Sequence, residues 1–226
     1  MQRVNPSSRA GARLVVYKLI SAMRYAIPIL CAFLFLGCRT TYQASYDMSL
    51  SEVERPADAE KRFGETEVSK TDTSYVFEDR FIHAVVMPSG GFTGMIIKNK
   101  TDNTIRIDWN QGAFVGPDGS SQTLVHGEMR KIDIGRDVSP TVIAPNSSVE
   151  KIVTGYEEVD GAEKIPTARV SQTSEKTQVK NSLKKDAESL IGRNFQVVMP
   201  FKIKDTVNEY IFRVNINDVS VEEVRQ

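Results

Sequence analysis

Two stretches near the C-terminus alternate apolar and polar residues without a break, and they constrain the fold more than any other feature. Their apolar members are Phe195, Val197, Met199, Phe201, Ile203, Tyr210, Phe212, Val214 and Ile216. A period of two is the repeat of a β-strand that is buried on one face. Because only Lys204 to Glu209 separates the stretches, they predict an antiparallel hairpin. Pro200 predicts an edge or a bulge in the first strand, since proline cannot donate to the ladder.

Shorter stretches upstream carry the same period between turn-forming residues. They cover residues 75–77, 80–87, 92–98, 104–110, 112–116 and 121–126, with weaker patterns at 131–134 and 149–153. Between these stretches and the hairpin, apolar residues at helical spacing predict one amphipathic helix over about residues 175–191, with Gly192 as its C-cap. Many short strands and one helix before a C-terminal hairpin predict a mainly β fold, an immunoglobulin-like antiparallel β-sandwich.

Residues 25–36 form the longest uncharged apolar run, and Arg24 stands directly before it. As a helix this run is about 18 Å long, which is shorter than the roughly 30 Å hydrocarbon core of a bilayer. A basic residue before a short apolar run is typical of a signal peptide. The run ends in Leu34-Phe35-Leu36-Gly37-Cys38, which resembles the lipobox of bacterial lipoproteins, with Phe35 where Leu is usual.

This resemblance implies a signal peptide over residues 1–37, recognised through Phe35, Leu36 and Gly37, and lipidation of Cys38. In that family the cysteine carries a diacylglycerol on its sulfur and an acyl chain on its new amino group, and we expect no other cofactor. Translation from Met23 would place the start 15 residues before Cys38. The alternative is an uncleaved anchor helix over about residues 14–36, in which a mid-helix Arg24 would cost a few kcal/mol.

The remaining chain is predicted as a lipidated tether over residues 38–70 and a β-sandwich domain over residues 71–226. Arg39 to Ser45 has few large apolar residues and predicts a flexible spacer. The capping-box spacing of Ser49 and Glu52 predicts a short helix from Glu52 to Phe63 that is broken at Pro56. The order of Ile105-x-Ile107-x-Trp109, Asp118-Gly119 and Ile143-Ala-Pro145 resembles small Ig-like domains of bacterial envelope lipoproteins over about residues 80–155.

The cysteines and the charges are consistent with this division. Cys31 would leave with the signal peptide and Cys38 would be alkylated, so the mature chain would hold no free thiol. Residues 1–38 hold five of the 29 basic residues and none of the 29 acidic residues, so the rest of the chain carries an excess of five acidic residues. A balance of this kind argues against nucleic-acid binding, and we expect no nucleic-acid partner.

The inventory of catalytic groups is small. His83, in a strand pattern, is predicted to be half-buried, and His126, before Gly127, is predicted to be a surface loop residue. With no mature cysteine and no linking motif, these two histidines predict neither a metal site nor a catalytic residue, and we expect no enzyme activity. Asp102, Asn103 and Asp118 have oxygens suited to Ca²⁺, but ordinary Asx-turns are the preferred interpretation.

Trp109, with Tyr75 and Tyr210, is either an exposed binding platform or part of the core. The stripe that Trp109 shares with Ile105 and Ile107 favours the core. Lys184 and Lys185 on the predicted helix are expected on a solvated face.

These observations predict a lipid-anchored cell-envelope protein with a non-enzymatic binding or structural role towards a protein or another envelope component. Two alternatives stay open. One is a small envelope hydrolase or carbohydrate-active protein that uses carboxylates in residues 155–165 or 116–119. The other is an accessory subunit of an envelope complex that works through an exposed strand edge at residues 210–216. Because Arg39 rather than Asp follows Cys38, the outer membrane is favoured over the inner membrane.

Overall fold

The computed structural model describes residues 40–59, 61, 64–71, 73–134, 136–155, 167–170 and 176–225. The predicted signal peptide, the lipobox with Cys38, and the acidic segment that follows Gly155 up to residue 166 lie outside the described residues. The described chain holds thirteen strands, a helix over Lys176–Glu188 and helical residues at Ala59 and Lys61, so the prediction of a mainly β fold is confirmed. No helix in this part of the chain combines the length and the apolar character that a membrane span requires.

The elements follow one another from Thr40 to Arg225. The strands are β1 (Thr40–Glu54), β2 (Glu67–Lys70), β3 (Tyr75–Glu78), β4 (Ile82–Ser89), β5 (Phe92–Asn99), β6 (Ile105–Ile107), β7 (Ala113–Val115), β8 (Ser121–His126), β9 (Thr141–Ile143), β10 (Ser148–Gly155), β11 (Thr167–Val170), β12 (Asn194–Ile203) and β13 (Thr206–Arg225). The helix α1 spans Lys176–Glu188, close to the predicted residues 175–191. Short 3₁₀ turns at Trp109–Gln111 and Lys131–Asp133 replace the end of one predicted strand and the whole of another.

All strand pairs are antiparallel, and they form two layers that share β8. The order of neighbours is β11-β1-β13-β12-β7-β8-β10-β5-β4-β3-β2, with β6 between β12 and β9. The first half of β8, Ser121–Thr123, pairs with β7, whereas its second half, Leu124–His126, pairs with β10. Because β8 changes partner along its length, it carries the chain from one layer to the other, as corner strands do in packed sheets.

The core lies between the two layers and is built from their inward-facing residues. Strand β3 of one layer places Phe77 against two rings of β13 in the other layer, with ring centroids 6.0 Å from Tyr210 and 6.1 Å from Phe212. Near β8, the strand that the layers share, Phe114 of β7 stacks on Phe195 of β12, with ring centroids 5.4 Å apart. Each of these residues is almost fully buried, because strand alternation sends every second side chain inward. The buried residues between the two layers, which include these five rings, are called the main core below, and their packing holds the sandwich together.

The C-terminal hairpin is confirmed, but its first strand is not an edge. Strand β12 pairs with β13 from Asn194 to Ile203 without a register shift. On its other side it pairs with β7 through Gln196–Val198 and with β6 through Phe201–Ile203. Pro200 lies in the gap between these two partners, where no ladder bond needs its missing N–H. An interior strand therefore accepts a proline because its neighbour on that side is interrupted.

The region predicted as a spacer is a strand. Thr40–Glu54 forms β1, which pairs with β13 from Thr40 opposite Arg225 to Glu54 opposite Ile211. Its inward residues Tyr42, Ala44, Met48 and Leu50 are buried, so this stretch has the two-residue period of a half-buried strand. The prediction of a flexible spacer from Arg39 is therefore wrong over the described residues, and so is the part of the predicted helix before Pro56. After Pro56, the described residues Ala59 and Lys61 are helical, within the predicted range.

Helix α1 packs on the end of the sheet at which β1 begins. Its Leu183 and Ala187 contact Tyr42 and Ala44 of β1, and these four residues are called the end cluster below. After the helix, Gly192 has φ of +80°, a conformation that glycine adopts without strain, and its N–H donates to the carbonyl of Ile216 at 2.9 Å. This turn joins α1 to β12.

Candidate functional site

A cleft lies at the end of β8, beside the turns that lead towards β9. Its volume is about 370 Å³, and it is lined by His126 and by residues 128–130, 133 and 136–139. The chain here follows two tight turns, closed by the N–H of Met129 on the carbonyl of His126 and by the N–H of Asp133 on the carbonyl of Arg130. The cleft is therefore bounded by a strand end on one side and by a turn-rich connection on the other.

His126 is buried at the base of this cleft. Only 8% of the residue is exposed, and its ring lies 4.5 Å from the ring of Trp109, centroid to centroid. The indole N–H of Trp109 donates to the hydroxyl of Thr141 at 2.9 Å, which fixes the indole under the imidazole. Within the described part of the chain, Nδ1 of His126 has no hydrogen-bond partner. The prediction of a surface loop histidine is wrong.

A buried lysine sets the charge of the site. The ammonium of Lys151, on β10, donates to a carboxylate oxygen of Glu128 at 2.5 Å, and only 7% of the lysine side chain is exposed against 71% of the glutamate side chain. Burial, and then the nearby Lys151 charge, lower the pKa of His126. The hydrogen bond from Lys151 lowers the pKa of Glu128 in turn. At neutral pH the site therefore holds a neutral imidazole beside an ion pair.

A second ion pair forms the outer wall of the cleft. The guanidinium of Arg130 donates to both carboxylate oxygens of Asp133, at 2.6 and 3.2 Å. This bidentate contact lowers the pKa of Asp133 and raises the pKa of Arg130. Glu128 and Asp133 are thus each held by a cation, an arrangement that suits polar recognition better than proton transfer by a free carboxylate.

The loops singled out for Ca²⁺ form ordinary turns. The Asp118 carboxylate accepts from the backbone N–H and the hydroxyl of Ser120, at 3.0 and 2.7 Å, in an Asx-turn. The amide of Asn99 donates to the carbonyl of Asn103 at 2.7 Å, and Asn99 itself is fully buried. Over the residues that the structure describes, no three His, Cys, Asp or Glu side chains are grouped to hold a metal ion.

The three aromatic residues considered as an exposed platform are core residues. Trp109 and Tyr210 are 1% exposed and Tyr75 is 6% exposed, so the platform interpretation is wrong and core packing is confirmed. Tyr75 donates its hydroxyl to the carbonyl of Met48 at 3.0 Å, which ties β3 to β1. His83 is half-buried in β4, and Lys184 and Lys185 are exposed on α1, as predicted.

A buried junction around Asp79 was missed from the sequence. Its carboxylate accepts from the backbone N–H groups of Phe81 and Ile82, at 2.8 and 2.9 Å, and from the hydroxyl of Tyr210 at 2.8 Å. The guanidinium of Arg55 lies 3.4 Å away and also donates to the carbonyl of Gly64. These contacts join the end of β1, the turn before β4 and the first part of β13, so the junction is structural. An Asp between two strand patterns gave no signal of this role.

Comparison with protein-family models, with curated proteins and with solved structures found no match for this chain.

Proposed function

We propose that this chain is a lipid-anchored protein of the bacterial cell envelope whose β domain binds a protein or another envelope component without catalysing a reaction. The observation that carries the proposal is the Leu34-Phe35-Leu36-Gly37-Cys38 sequence at the end of a short apolar run. Two or three acyl chains, at about 0.8 kcal/mol for each buried CH₂ group, would anchor the protein stably. The outer membrane is the proposed location, because Arg39 follows Cys38.

The positions of the buried residues in the sequence are compatible with an anchor at Cys38 that precedes the β domain. The buried hydrophobic residues of the described chain run from Tyr42 to Ile216, all of them after Cys38.

The cleft beside His126 is the proposed binding site of this domain. It offers a neutral imidazole, two ion pairs and the apolar side chains of Met129 and Val138, which together suit a polar partner group. The hydrolase alternative gains no support, because Asp118 is held in an Asx-turn and residues 156–165 lie outside the described part of the chain. A role in an envelope complex is compatible with the proposal. Strand β13, however, lies between β1 and β12, so residues 210–216 do not form a free edge.

Lipidation can be tested with two matched cysteine variants. Cys38→Ala should abolish both metabolic labelling with palmitate and retention in the membrane fraction. Cys31→Ala, seven residues earlier in the apolar run, should leave both unchanged. Labelling and membrane retention that survive Cys38→Ala would refute the anchor.

The binding site can be tested by site-specific photo-crosslinking in intact cells. A crosslinking residue at the exposed Ser139, on the rim of the cleft, should give discrete adducts with an envelope component. The same residue at the exposed Asp205, in the turn between β12 and β13, serves as the control. Equal adducts at both positions, or none at Ser139, would refute the assignment of the cleft.

A further inference from the structure

The start of β1 fixes which end of the domain lies next to the proposed anchor. Thr40 pairs with Arg225 of β13 on one side and with Val170 of β11 on the other. Cys38 precedes Thr40 by two residues, and two peptide units span at most about 7 Å. Because β1 is paired over its whole length, no spacer separates Cys38 from the sheet. Acyl chains on Cys38 would hold this end of the sheet at the bilayer surface.

Helix α1 is packed at that same end and is basic there. The ammonium of Lys180 lies 6.0 Å from the ring centroid of Tyr42, two residues along β1 from Thr40. Lys184 follows one turn later, where it lies 3.5 Å from Glu188, and Lys185 is its neighbour; all three lysines are exposed. Lysine side chains near a bilayer are attracted by the phosphates of anionic lipids.

The end of β13 differs in charge from the helix beside it. Glu223 and Glu222 lie opposite Tyr42 and Gln43 in the ladder, and both are exposed. Glu222, opposite Gln43, lies on the other face of the sheet, whereas Glu223, opposite Tyr42, shares the face on which α1 packs. An anionic leaflet favours the rotation of the domain that brings the lysines of α1 towards the lipid and turns Glu222 away.

We infer that α1, together with the start of β1, is a bilayer-contact surface whose partner is the phosphate headgroups of the leaflet that holds the lipid on Cys38. This inference rests on the proposed lipidation of Cys38. The inference also predicts how far the opposite end of the domain lies from the bilayer surface. Strand β13 has 20 residues, so at roughly 3.3 Å per residue the turn at Lys204 and Asp205 lies up to about 60 Å from the strand end next to the bilayer.

The test uses the lipidated chain, purified from membranes and reconstituted in vesicles. With Cys31 removed and Cys38 alkylated, an introduced cysteine is the only reactive thiol. A fluorophore is placed on Asn181→Cys, at the exposed face of α1, or on Asp205→Cys, at the distal turn. The vesicles contain phosphatidylcholine with a nitroxide-headgroup lipid, with or without phosphatidylglycerol. Quenching by the nitroxide should be several-fold stronger at position 181 than at position 205.

Co-flotation with the vesicles reports the anchor separately from the orientation. Protein that floats but is quenched equally at both positions, or more at position 205, would overturn the bilayer-contact surface and leave the anchor standing. Protein that fails to float would refute the anchor, and the inference would fall with it.

A lysine double variant tests the role of the phosphates. Lys180→Gln with Lys184→Gln should reduce quenching at position 181 in vesicles with phosphatidylglycerol and leave it unchanged in phosphatidylcholine alone. Lys204→Gln, at the distal turn, is the matched control and should have no effect. Quenching that is unchanged by the double variant in the anionic vesicles would overturn the lysine contact with phosphate.

Discussion

The main core and the end cluster differ greatly in what holds them together. In the main core, seven large rings are almost fully buried between two layers of strands: Phe77, Trp109, Phe114, Phe195, Phe201, Tyr210 and Phe212. The end cluster has Tyr42, Ala44, Leu183 and Ala187, with partly buried neighbours from β13. Since apolar burial contributes about 25 cal/mol per Å², the end cluster contributes far less to stability. We expect the end next to Cys38 to open locally at a lower free energy than the sandwich.

The largest effect should follow from truncating the main core. Phe212→Ala removes a ring that faces Phe77 at 6.1 Å and should lower the free energy of unfolding by about 3–5 kcal/mol. Chemical denaturation followed by tryptophan fluorescence, from the buried Trp109, measures this loss. Val207→Ala, exposed on the same strand, should change stability by less than about 0.5 kcal/mol. Similar losses in the two variants would contradict the assignment of the main core.

The Asp79 junction should be the next most sensitive site, because it fixes β1 to the sandwich. Asp79→Asn keeps the shape but weakens the contacts with Tyr210 and Arg55, and should cost about 2 kcal/mol. Denaturation at neutral pH measures the change, with the exposed Asp118→Asn as the control for losing a carboxylate. A loss no larger than that of the control would show that the junction does not contribute to stability.

Truncation in the end cluster should have a more local effect. Leu183→Ala should cost about 2 kcal/mol, at the lower end of the range for buried leucine, because the cluster is small. Hydrogen exchange should accelerate in α1 and in the first residues of β1, while strands around the main core keep their protection. Ser182→Ala, on the exposed side of α1, is the control. Exchange that accelerates equally throughout the sheet would show that the two clusters form one cooperative unit.

The smallest effect on stability should come from protonation of His126, which lies at the edge of the main core, as the pH is lowered. Burial lowers the pKa of His126 in the folded state, so the unfolded chain binds this proton more readily. The contribution of His126 is therefore fully present above the unfolded pKa of about 6.5 and is lost progressively as the pH falls below it. Denaturation midpoints between about pH 7 and pH 5 should fall more for the native chain than for His126→Gln. Parallel curves would contradict the buried, neutral imidazole.

The sequence was most informative where the period was long and uninterrupted. The nine alternating apolar residues of β12 and β13 predicted the hairpin, and the helical spacing around Leu183 predicted α1. Strand β1 also alternates, at Tyr42, Ala44, Met48 and Leu50, but its small and polar residues are typical of a spacer. Its partner lies at the other end of the chain, so only the folded sheet shows why this stretch is a strand.

The burial of His126 could not be predicted from the sequence, for a similar reason. The imidazole is packed on Trp109, which lies before β7, and its pKa is lowered first by this burial and then by the charge of Lys151 on β10. Its neighbours in the sequence, Gly127 and Glu128, are exposed and indicated a surface loop. A local pattern describes the backbone around a residue, whereas burial depends on contacts between distant segments.

The pairing of β1 with β13 also has a consequence for folding kinetics. Thr40 lies opposite Arg225, so the first described strand finds its partner only when the last strand has been synthesised. Contacts between residues so far apart in sequence carry a large loop-closure entropy and slow the folding of β proteins. Until β13 has been synthesised, β1 has no partner for its backbone groups on that side. A chain of this topology completes its sheet late, and until then it depends on whatever protects an unpaired strand from aggregation.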